Sequence, residues 1–203
     1  MIAVITADII NSTTVETMVW LNPLKEELNK IGSNPKDWEI YRGDSFQLVI
    51  DDPALALISA IKIKAVIKSI GKIDIRIAIG LGERSYEAEK VTESNGTAFI
   101  NSGSKFEVLK KEKQNLAIKT NSAKFDLEMN LYLKLGLIAM DNWTENSAEI
   151  VKLTLDNPSQ SQDEIGKQIG IKQATVSHRL KRAYFSEMLE LNEIYKIKLQ
   201  NDL

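Results

Sequence analysis

The residue pattern of this chain changes kind once, at Asn121: strand-like and helix-like runs alternate before it, and only helical spacing remains after it. Ile2 to Asp8 is a short apolar run closed by polar residues, the form of a buried strand. Thr13 to Ile31 carries apolar residues at helical spacing. Trp38 to Arg42 and Ser45 to Ile50 flank Gly43-Asp44, which reads as a hairpin. Asp52-Pro53 signals a helix start, Asp as cap and Pro at the first position, for a helix running to Gly71. The run IDIRIAIGLGE alternates and reads as a strand, Gly96 to Lys111 as a helix, and Asn115 to Lys119 as a further strand. The order β-α-β-β-α-β-α-β predicts an α+β fold of ferredoxin-like or palm type, an antiparallel sheet with helices mainly on one face.

Beyond Asn121, Ser122 to Asn142 places Phe125, Met129, Tyr132, Leu133, Leu137 and Met140 on one helical stripe. Glu145 to Leu155 continues or restarts that helix, and Asn157-Pro158-Ser159 interrupts it. Three parts are therefore expected: a head over 1-121, a helical connector over 122-156 and an all-α tail over 157-203.

The tail holds the most specific local pattern, SQDEIGKQIGIKQATVSHRLKR from Ser161 to Arg182. Ser161 and Glu164 have the spacing of a capping box. Ile165 and Ile169 share a helix face, Gly170 suits a left-handed helix end, and Ile171, Val176 and Leu180 would turn a second helix inward. Lys172, Gln173, Thr175, Ser177, His178, Lys181 and Arg182 would then point outward, a polar set able to reach base edges and phosphates. From Lys172 to Arg182 there are four Lys or Arg and no acid. The segment resembles the helix-turn-helix of bacterial regulators, which implies DNA as a partner. The bland alternative is a helical hairpin with a solvated charged face.

Residues 144 to 203 carry eight Lys or Arg against nine Asp or Glu, a net of −1. Phosphate neutralisation dominates DNA affinity, so a monomer should bind weakly and a homodimer presenting two reading helices is expected. The whole chain has 203 residues and a formal charge of −2, which argues against a general nucleic-acid coat or a membrane-surface protein. There is no cysteine, excluding disulfides, thiol catalysis and cysteine zinc sites, and His178 is the only histidine. The start lacks the form of a signal peptide and the apolar runs are short or interrupted by charge, so a cytoplasmic protein is expected.

In the head, Asp8 ends the first strand and Asp44 sits at the hairpin tip, positions that a palm topology makes neighbours. Paired carboxylates there could hold Mg²⁺ while the backbone near Ile9 and Ile10, with the hydroxyls of Ser12 and Ser45, touches phosphate. Taken singly, an Asp after a strand is as readily a cap, and Gly-Asp is a common hairpin tip.

The motifs Thr6-Ala7-Asp8-Ile9 and Arg42-Gly43-Asp44-Ser45, the run from Arg76 to Gly82 and the segment GTAFINSGSKFEVL together resemble the class III nucleotide cyclase catalytic domain. That resemblance implies metal-binding roles for Asp8 and Asp44 and places the family's transition-state Asn and Arg on Asn101 and Lys105. At Lys105 a point charge replaces a planar guanidinium, and Ile40 stands where the family's adenine-reading lysine would be. With ITADIINS, YRGDSFQ, GTAFINSG and the C-terminal helix-turn-helix, the chain also resembles the SatD-like family of bacterial proteins over nearly its full length. These resemblances imply a DNA-binding regulator whose degenerate cyclase-like head senses a nucleotide or phosphate ligand. A Mg²⁺-dependent enzyme acting on nucleotides and a head serving only as a dimerisation scaffold are the alternatives.

Overall fold

A computed structural model describes residues 1–203, an α+β arrangement of five strands and eight α-helices. The head runs β1 (Ile2–Ile10), α1 (Thr17–Ile31), β2 (Trp38–Tyr41), β3 (Ser45–Ile50), α2 (Ala56–Lys68), β4 (Asp74–Gly82), α3 (Thr97–Glu112) and β5 (Leu116–Lys119). The all-helical remainder is α4 (Ala123–Met140), α5 (Glu145–Asp156), α6 (Gln162–Gln168), α7 (Gln173–Arg182) and α8 (Phe185–Asp202). No helix is long and apolar enough to cross a membrane.

The sheet order is β2-β3-β1-β4-β5. The first four strands pair antiparallel, whereas β5 runs parallel to β4, so the sheet is mixed instead of purely antiparallel. The cause is α3, which carries the chain back along β4 before β5 begins, as a parallel neighbour requires. The hairpin between β2 and β3 pairs Tyr41 with Ser45, leaving a three-residue loop, Arg42-Gly43-Asp44, one longer than the Gly-Asp turn expected. Arg42 and Gly43 both take positive φ there.

One sheet face carries Ala3, Ile5, Ala7 and Ile9 of β1 and Ile75, Ile77, Ile79 and Leu81 of β4, packed in one core with residues of α1 and α2. The opposite face is not bare, as a one-sided layer would leave it. Val4 and Val49 pack there against Ala98 and Phe99 of α3. Gly80 explains the close approach, since a Cβ at that position would lie 2.2 Å from the Ala98 carbonyl oxygen and the Ser102 nitrogen. Thr6 crosses the same gap with a buried hydroxyl bond to Ser102, 3.0 Å.

The main core continues without a break into the helical part through Phe125, Met129 and Leu133 of α4, Val151 of α5 and Met188, Leu191, Tyr195 and Leu199 of α8. Segment 122-156 is thus packed onto the head along its length, not held away from it. Two ionic clusters reinforce the junction. Lys64 of α2, fully buried, lies 2.7 Å from Asp74 and 2.8 Å from Asp141. Glu27 of α1, also buried, meets Lys62, which with Lys30 reaches Asp156 at the end of α5. The Tyr195 hydroxyl donates to the Pro53 carbonyl at 2.6 Å, tying α8 to the turn before α2.

A separate small core holds α6 and α7: Ile165, Val176 and Leu180 close around Ile150 of α5. The packed unit therefore has three helices and begins upstream of residue 157, where the chain pattern had suggested a break.

Candidate functional site

Strand register builds the site in the head. Asp8 faces Ser45 across β3 and Arg76 across β4, and Ser45 faces Tyr41 across β2. Because side chains alternate faces, Tyr41, Ser45, Asp8 and Arg76 form one row on the sheet face that α3 covers only in part. All four are half-buried. One guanidinium nitrogen of Arg76, Nη1, donates to both carboxylate oxygens of Asp8, at 3.1 and 3.0 Å.

Asp44 stands beside this row. Ser12 donates its hydroxyl to Asp44 at 2.7 Å, and the Asp44 carbonyl accepts from the Ile9 amide at 3.0 Å. The two aspartates are near enough to affect each other. Burial is the main cause that holds the Asp8 carboxyl above the usual carboxylate range; Arg76 opposes it, and the negative charge of Asp44 adds to it. Lys110 of α3 also favours the ionised form. Burial likewise pushes the Tyr41 hydroxyl up, opposed by Arg42 and aided by Asp8 and Glu107.

The acidic pair is therefore brought together, but not as an open metal cradle. Both oxygens of Asp8 are engaged by Arg76 and one of Asp44 by Ser12, and no group of three or more His, Cys, Asp or Glu could hold a metal ion. Mg²⁺ is usually held by one or two carboxylates with waters and phosphate oxygens, so a metal here would have to draw Asp8 from Arg76 and Asp44 from Ser12. Nor do Ile9 and Ile10 form a phosphate loop: both lie within β1, registered against Ile75 and Asp74, and the Ile9 amide is already used. Ser12 and Ser45 border the acids, Ser12 bonded to Asp44 and Ser45 facing Asp8.

Asn101 and Lys105 are elsewhere. The Asn101 side chain is buried and donates to the Leu81 carbonyl at 2.8 Å and to Asn121 at 3.3 Å. Leu81 is five residues along β4 from Arg76, roughly 17 Å at ordinary strand rise. Lys105 pairs with Glu112 on its own helix, 3.2 Å away. Within one chain neither residue reaches the acidic pair. The sequence does carry a signal for Arg76 as a site residue: an arginine alternating with Ile75 and Ile77 sits opposite the core face, where a charge calls for a partner.

In the tail, the capping box is formed: the Ser161 hydroxyl accepts from the Glu164 amide at 3.3 Å, and the Glu164 carboxylate accepts from the Ser161 amide at 2.7 Å. That backbone bond, with the one from the Ser161 hydroxyl, holds the Glu164 carboxyl below its usual range. Gly170 follows α6 at φ 70°, the left-handed conformation that its position at the turn requires. Val176 and Leu180 anchor α7 inward.

Lys172, Gln173, Thr175, Ser177, His178, Lys181 and Arg182 are all exposed, as the spacing predicted. Gln173 bonds to Gln162 of α6 at 2.8 Å. Arg179 is held apart from this set: its guanidinium pairs with Glu149 of α5 at 3.1 Å and is mostly buried. Three full cations, Lys172, Lys181 and Arg182, therefore remain on the outer surface. No family model, curated protein or solved structure matches this chain.

Proposed function

We propose that this chain is a cytoplasmic DNA-binding regulator of the SatD-like family, with α6 and α7 as its helix-turn-helix and α7 as the reading helix. The observation that carries the proposal is the exposed, acid-free surface of α7 on a capped and packed helical pair. Such a surface offers hydroxyl, amide and imidazole groups for base edges beside cations for phosphates. The strand order β2-β3-β1-β4, with its β-α-β-β-α-β connections, supports the palm reading of the head.

In this reading the head is a sensor. Arg76 holds a half-buried carboxylate through a single nitrogen, and a phosphate-bearing ligand such as a nucleotide offers a stronger, two-pronged partner. Exchange of Arg76 from Asp8 to phosphate would alter the row joining β1 to β4. Coupling to DNA requires that the ligand prefer one arrangement of the chain over another. A nucleotide-cyclising enzyme has less support, because Asn101 is committed to the Leu81 carbonyl and Lys105 to Glu112.

Duplexes selected from a random pool by the full chain, then titrated with wild type and a Thr175→Ala/Arg182→Ala variant, test the DNA reading. Enrichment of a defined sequence whose binding the variant loses supports it, and no enrichment refutes it. Calorimetric titration of ATP and GTP, with and without Mg²⁺, into wild type and Arg76→Met tests the sensor. Absence of heat in every case would leave the head as a scaffold.

A further inference from the structure

The outer surface of α4 points to a partner that the monomer lacks. Its inward stripe, including Phe125, Met129 and Leu133, is buried in the main core. A second stripe faces solvent: Leu127 is 75% exposed, Leu131 55%, Leu135 58% and Ile138 69%. On α8, Ile194 and Ile197 extend it, 43% and 56% exposed. Between the two helices lies a groove of about 660 Å³, mostly apolar, that ends at Arg182, the last residue of α7, and Tyr184.

We infer that this α4–α8 face pairs with a second copy of the chain. Six such side chains expose on the order of 600 Å² of apolar surface, at the upper end of what a monomer normally leaves in contiguous patches. That approaches the roughly 800 Å² per partner of a stable interface once the rim is added. The stripe runs along an 18-residue helix, so a two-fold axis across its middle sets Leu127 of one copy near Ile138 of the other and uses each side chain twice. The rim carries both signs, Lys134 and Glu190 among them, whereas a membrane-lying face would be bordered by lysine and arginine. Because the groove adjoins the end of α7, the same pairing sets the separation of two reading helices.

Pairing through this face does not require DNA. Sedimentation velocity of the full chain is compared for wild type, Leu127→Glu, Leu131→Glu/Ile138→Glu, and Ile100→Glu on the head as a control, Ile100 being 61% exposed. Wild type and Ile100→Glu should sediment as dimers, while both α4 variants, unchanged in circular dichroism, should associate at least about a hundredfold more weakly. Leu127 lies largely in solvent, so its substitution leaves the fold intact and keeps the comparison decisive. A wild type still monomeric at about 100 μM, an order of magnitude at which even weak pairs associate, would overturn the assignment. So would a dimer that survives both α4 variants, or one broken by Ile100→Glu.

Discussion

Replacing Arg76 with methionine isolates what the acidic row costs the fold. The side chains of Arg76 and Asp8 are 13% and 23% exposed, so the pair is only partly desolvated. Breaking a fully buried pair from one side costs about 3–5 kcal/mol; residual solvation of Asp8 brings the expected loss to about 2 kcal/mol. For a chain of 203 residues that corresponds to a melting point roughly 4–8 °C lower near neutral pH. Asp8→Asn should behave differently. The Asp8 carboxyl is held above its usual range, so its stabilising contribution is complete below the unfolded-state value and lost as pH rises through the folded-state value. At neutral pH the ionised group is a net burden, and Asn should leave stability within about 1 kcal/mol of wild type. Arg76→Met removes a charge that favours ionisation, which raises the Asp8 value further. Its penalty should therefore shrink as pH falls into the acid range and nearly vanish in the Asp8→Asn background. Urea unfolding of the four proteins near pH 7 and near pH 4.5 measures this cycle. Equal penalties at both pH values, with no rescue by Asp8→Asn, would show that the cost does not come from the ionised Asp8 carboxylate.

The remaining expectations concern the junctions. Lys64→Met leaves Asp141 without its cation and Asp74 with only Lys68, and should lower stability by about 3 kcal/mol in a thermal or urea melt. Ser161→Ala removes the hydroxyl cap of α6 and should cost about 1 kcal/mol, with faster amide exchange confined to the start of that helix. The depressed Glu164 carboxyl sets the pH sign there: its contribution is present above the ordinary carboxylate value and lost as pH falls through the folded-state value, so the protection factors of α6 amides, taken relative to intrinsic exchange at each pH, should fall in acid.

Much of this was legible because the signals are local. The capping box at Ser161, the left-handed Gly170, the Asp52-Pro53 helix start and the inward stripe of α4 each depend on neighbours within one or two turns. Other features depend on pairing between distant segments. The parallel direction of β5, the placement of α3 on the second sheet face and the contact between Asp8 and Arg76 all follow from register, which no local period encodes. The helix α8 eluded the pattern for another reason. Met188, Leu191, Tyr195 and Leu199 face the core while Leu189, Ile194 and Ile197 face outward, so apolar residues surround the helix and no single stripe stands out. The outer stripe of α4 was hidden behind its inner one in the same way. Charge counting overestimated the exposed cationic surface of α7, because Arg179 faces Glu149 instead of solvent.

The measurement that bears most directly on DNA reading by α7 is the salt dependence of affinity for a selected duplex. With Lys172, Lys181 and Arg182 on each of two copies, log Kobs should fall against log[salt] with a slope of about −5, against about −3 for a single copy. Lys181→Ala should reduce the two-copy slope by about 2, whereas Lys25→Ala on the head should not change it. A slope unaffected by Lys181→Ala, or no saturable binding at low salt, would contradict the account.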